Sequence, residues 1–86
     1  MTQQEKLLAR VLSGRSDSNI GFDDLRWLLT RLGFDERVRA SHHVFVRTGV
    51  EDLINLQREG RQAKSYQVRQ VRSIIVGYGL AAAEDT

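Results

Sequence analysis

The stretch that decides the fold runs from residue 33 to 49: Gly33-Phe34-Asp35-Glu36-Arg37-Val38-Arg39-Ala40-Ser41-His42-His43-Val44-Phe45-Val46-Arg47-Thr48-Gly49. Before Gly33 the apolar residues recur at helical spacing. After it the period changes, and β-branched and aromatic residues take over. The pattern predicts a first strand over Phe34–Arg39 and a second over His42–Thr48. A third follows over Glu51–Gln57, because Arg47-Thr48-Gly49 has turn chemistry and Val50, Asp52, Ile54 and Leu56 then share one parity.

Upstream, Gln3–Ser13 reads as a short helix with Leu7, Leu8, Val11 and Leu12 on one stripe, and residues 14–19 break it as a polar loop. The next helix has Gly21 as N-cap, Asp23 and Asp24 at the positive end of its dipole, and Ile20 placed to staple onto Leu25. Leu25, Leu28, Leu29 and Leu32 form its apolar stripe, and Gly33 stops it. Trp27 falls off that stripe and is expected against the first helix. Downstream, Gly60 and its neighbours read as a loop. The last helix is expected from Ser65 as N-cap, with Val68, Val71, Ile74, Ile75 and Tyr78 inward and Gly79 at its end.

The order helix, helix, three strands, helix implies an α+β fold: a three-stranded antiparallel sheet with helices on one face and the other face open for a ligand. The expected division is an N-terminal helical extension and loop over 1–18, a core domain over 19–80 and a flexible tail over 81–86. Eighty-six residues suffice for one modest core. With no cysteine, disulfides and thiolate zinc sites are excluded. No apolar run approaches the roughly 18 residues of a membrane span, and no signal-peptide pattern opens the chain, so a soluble cytoplasmic protein is expected.

Net charge is only +2, but it is segregated. Arg58, Arg61, Lys64, Arg69 and Arg72 fall within fifteen residues against Glu59 alone, which fits either a phosphate-facing surface or a solvated helix face. Histidine is the one side-chain type whose ordinary pKa lets it take and give protons near neutrality, and the chain's only two stand together at the head of a strand between Arg39 and Arg47. That combination suits phosphodiester chemistry, with histidine as general acid–base and cations holding the phosphate. Spacing does not say which histidine works, since neighbours on a strand point to opposite faces. For the same reason they cannot readily share a metal ion, and no metal or other cofactor is expected. Ser41 reads as a hydrogen-bonding turn residue. Arg69 and Arg72, three apart on one helix, share a face that can grip RNA, dock an acidic segment or simply be solvated.

The residues Gly21-Phe22-Asp23-Asp24-Leu25, Leu32-Gly33-Phe34, Arg39-Ala40-Ser41-His42-His43-Val44-Phe45, Val71-Arg72-Ser73-Ile74-Ile75 and Gly77-Tyr78-Gly79-Leu80 together resemble the HicA-type toxins. These are small mRNA interferases of type II toxin–antitoxin pairs, and the likeness covers about residues 21–80. It implies a fold like a double-stranded-RNA-binding domain, with an α-β-β-β-α core and an extra N-terminal helix. The implied activity is a metal-independent endoribonuclease that cleaves mRNA and so inhibits translation, neutralised by a HicB-like antitoxin. The family's Gly-Ser-His signature falls on Ala40-Ser41-His42, which makes His42 the implied catalyst. Ser41, His43, Arg39, Arg47, Arg61, Lys64, Arg69 and Arg72 are the expected supporting and phosphate-binding residues. Ala40 stands where the signature has glycine, so a positive φ there would be strained. Many relatives carry a proline–histidine pair where this chain has Asn55-Leu56-Gln57-Arg58. Two further readings are a non-catalytic RNA- or partner-binding module of the same fold, and a homodimer built on Trp27 and the first helix.

Overall fold

The computed structural model describes residues 2–83. Helix α1 spans Gln3–Ser13, α2 Phe22–Arg31, α3 Ser65–Gly77 and α4 Leu80–Ala83; strands are β1 Asp35–Arg39, β2 His42–Arg47 and β3 Val50–Leu56, with a small ribbon of β4 Arg58–Glu59 and β5 Gln62–Ala63. The sheet is antiparallel in the order β1-β2-β3, which is the α+β arrangement expected from the change of period at Gly33. Among the described residues no helix is long and apolar enough to cross a membrane.

Local chemistry sets each boundary. At the start of α1, Glu5 N donates to Thr2 Oγ1 and Thr2 N donates to Glu5 Oε1, a reciprocal capping box. At the end of α2, Phe34 N donates to Leu29 O at 3.0 Å and Gly33 N to Thr30 O at 3.1 Å, with Gly33 at φ 95°. This is a Schellman ending, and it explains why helix gives way to strand at Gly33. The β1–β2 hairpin turns on two residues, and Ala40 at its first central position has φ 54°, where an L-residue is strained.

The sheet's inner face carries Phe45, Ile54 and Leu56, all fully buried. They pack with Leu25, Leu28 and Leu29 of α2 and Val68, Val71, Ile74 and Ile75 of α3 in one cluster. Helix α1 adds Leu8 and Val11 to that same cluster, so the helix set apart over 1–18 is part of the core. The β2–β3 register slips between Phe45 and Arg47, yet Arg47↔Val50 keeps the parity of Phe45↔Ile54, so Val50 still packs against the core.

Three expectations are corrected. The loop around Gly60 is the β4–β5 ribbon, held by Ala63 N donating to Ile20 O and Phe22 N donating to Arg61 O, both at 2.9 Å. Helix α3 is capped by Lys64 rather than Ser65, and without a side-chain cap bond. Tyr78 is not inward: its hydroxyl reaches the sheet edge, donating to Asp52 Oδ2 and accepting from Glu51 N. Of the tail expected over 81–86, residues 81–83 belong to α4, and 84–86 lie outside the described residues.

Candidate nucleic-acid interface

Strand geometry divides the two histidines. Paired opposite Arg39 on β1, His42 lies exposed on the helix-free face of the sheet. Across from β3, the side-chain amide of Gln57 approaches its Nε2 at 3.5 Å. The contact pairs an amide donor with a ring nitrogen that accepts when the imidazole proton is on Nδ1. The contact is long and exposed.

The same parity rule populates the rest of this outer face. Arg37, opposite Val44, shares it with Asp35, Arg39 and His42, and Asn55 is paired with Val44 from the other side. Val44, Val46 and Leu53 form the apolar centre, with Leu53 60% exposed. Arg37 was missing from the candidates named from sequence, although its parity with Arg39 on one strand is a legible signal.

His43 faces the helices. Its Nδ1–H donates to Glu36 Oε2 at 2.8 Å, and its ring meets Phe22 edge-on with centroids 5.0 Å apart. Glu36 in turn accepts from Arg26 Nε at 2.6 Å and Nη2 at 3.0 Å, and Arg26 bonds Asp23 at 2.9 Å. Arg58 closes the group, bonding Asp23 at 3.0 Å and lying 4.5 Å over the Phe22 ring. The Arg26 guanidinium holds the Glu36 carboxyl below the usual glutamate range against the opposing effect of burial, and His43 adds to the lowering. Arg58 and Arg26 lower Asp23 likewise. His43 is thus a structural member of an ion-pair chain.

The expected phosphate-binding cations are scattered. Arg39 alone stands beside His42. Arg47 points inward at the far end of β2, with its Nε 3.3 Å from where a Cβ on Gly33 would sit. Arg72 donates to both carboxylate oxygens of Asp17, at 2.8 and 3.1 Å, and to Val11 O at 3.1 Å. Its charge is committed to tying α3 to the end of α1, and it lowers the Asp17 carboxyl accordingly. Arg69 is exposed on α3, Arg61 sits in the β4–β5 turn, and Lys64 places Nζ 6.0 Å from the Tyr66 ring centroid. Ser41 is exposed in the β1–β2 turn.

One link reaches from this face to α3. The buried Gln67 accepts from Gln57 N at 3.3 Å, which fixes the backbone of the residue whose side chain meets His42. Among the described residues no group of three or more histidine, aspartate or glutamate side chains is placed to hold a metal ion. No known protein family, characterised protein or solved structure matches this chain.

Proposed function

We propose that this chain is a metal-independent endoribonuclease of the HicA type, acting on mRNA in the cytoplasm and held inactive by a HicB-like antitoxin. The observation that carries the reading is the placement of His42: solvent-exposed, opposite Arg39, on the sheet face that no helix covers. There His42 Nε2 takes the proton of the attacking 2′-hydroxyl as that oxygen bonds phosphorus, the P–O5′ bond breaks, and the leaving 5′-oxygen takes a proton from the resulting imidazolium or from water. Arg39 and Arg37 stabilise the charge that develops on the phosphoryl oxygens. Val44 and Leu53 offer an apolar floor for unpaired bases. An antitoxin would silence the site by covering this face.

The test is cleavage of an unstructured RNA by purified, antitoxin-free protein with a chelator present. His42→Ala should lower the rate about 10²–10⁴-fold, the usual contribution of a positioned proton-transfer group, without changing the fold. Intact RNA with the wild-type protein, or full activity in His42→Ala, sinks the proposal.

A second reading is a binding module without catalysis. It is favoured by the side chain in contact with His42 just beyond β3 being Gln57, an amide that supplies no acid for the leaving oxygen. RNA binding that survives His42→Ala, with no cleavage by any variant, would establish it.

A further inference from the structure

In the helical layer, α1 and α2 flank an open groove of ≈ 540 Å³ lined by Gln3, Lys6, Leu7, Arg10, Asp24 and Trp27. Its size is in the range of small-ligand sites. Trp27 is the chain's only tryptophan and is 43% exposed, so the indole is not used up by packing on α1. Lys6 makes no ion pair among the described residues. Arg10 is anchored by Nη2 donating to Asn19 O at 2.8 Å, which steadies the guanidinium and leaves its other N–H groups to bind. Asp24 contributes a carboxylate to the same groove.

We propose that this groove binds one nucleotide unit bearing an exocyclic amine. Its three chemistries correspond to three parts of such a ligand. Trp27 and Leu7 offer an apolar and aromatic surface on which a base stacks. Lys6 and Arg10 supply charge-assisted donors for a phosphate. Asp24 accepts from the amine of cytosine or adenine, a contact uracil cannot make. The proposal rests on the reading above only for its choice of an RNA strand as the source of the nucleotide. A free mononucleotide has the same chemistry.

The experiment follows Trp27 fluorescence in the full-length His42→Ala protein, which leaves RNA uncut. Cytidine 5′-monophosphate and a single-stranded hexacytidylate should change the emission saturably. Uridine 5′-monophosphate and phosphate-free cytidine should each bind about tenfold more weakly. Lys6→Gln, an exposed change that spares the Asn19 anchor, should weaken the cytidine nucleotide about as much, and Asp24→Asn should abolish the preference over uridine. Tighter binding of the hexamer assigns the groove to an RNA strand; equal binding assigns it to a free nucleotide. No saturable change at millimolar ligand, or an affinity indifferent to Lys6→Gln, overturns the proposal. If binding is lost while His42-dependent cleavage by the wild type persists, the groove assignment falls alone. If binding persists without cleavage, the nuclease reading falls alone.

Discussion

On the inner side of β2, His43 donates to Glu36 at 2.8 Å, Glu36 is clamped by Arg26, and the ring stands against Phe22. One residue earlier and on the outer side, His42 faces solvent, with Arg39 across the strand pair and a single long contact to Gln57. The same side chain thus sits in two physical situations 180° apart. Inside, every polar neighbour is committed and the imidazole is a packing and hydrogen-bonding part. Outside, the ring is free to exchange its contact for a ligand's. What separates them is the two-residue period of the strand together with helices that cover only one face.

The strongest way to challenge the contrast of faces is truncation on each side. Phe45→Ala should cost about 3–5 kcal/mol in urea unfolding, since a fully buried ring is replaced by a cavity. Leu53→Ala on the outer face should stay within about 0.5 kcal/mol. Comparable losses would mean that the outer face is buried in solution, by a second copy of the chain for example.

The histidines themselves come next. His43→Ala should cost about 2 kcal/mol, because it removes a hydrogen bond to a charged, mostly buried carboxylate and leaves Glu36 short of a partner. His42→Ala should leave stability within about 0.5 kcal/mol. A reversed order would break the assignment of roles.

Acid titration sharpens the same comparison. The Glu36 and Asp17 carboxyls lie below their ordinary values because Arg26 and Arg72 bond their charged forms. A lowered folded pKa adds stability that is complete above the unfolded value, about 4, and is lost as pH falls through the folded value. Wild type should therefore lose stability as pH drops from about 5 to about 3, whereas Glu36→Gln, already weaker at neutral pH, should lose less over that interval. Parallel curves would show that this inner network carries no linkage.

The smallest effect is at the turn that delivers His42. Ala40 holds φ 54°, so Ala40→Gly should relieve strain and stabilise by about 1 kcal/mol, a rise in Tm of about 4–8 °C for a domain of this size. No rise would mean that the turn relaxes in solution.

Much of the architecture was legible because it rests on local rules. The glycine stop at Gly33 and the leucine stripe of α2 each report local backbone geometry, and the opposite facing of His42 and His43 follows from the two-residue period of a strand. The β4–β5 ribbon was not legible. Its strands are two residues each, too short to show a period, and backbone bonds to Ile20 and Phe22, some forty residues away, hold it in place. Arg69 and Arg72 share a helix face by spacing, but nothing near Arg72 in the chain foretells its bidentate bond to Asp17, 55 residues distant. The Thr2–Glu5 capping box is a further feature carried by local spacing alone.

By itself the sequence determined the α+β order of elements, where helix yields to strand, and that one histidine of the pair would look outward. Those follow from propensity, capping and periodicity, which act over a few residues. Only the tertiary structure decided which cations stand beside His42, that Arg47 lies against Gly33 and Arg72 is bonded to Asp17, that Glu36 and Arg26 secure His43, and that α1 and α2 leave a groove over Trp27. Those are matters of distance between segments remote in the chain, set by how the elements pack around one core.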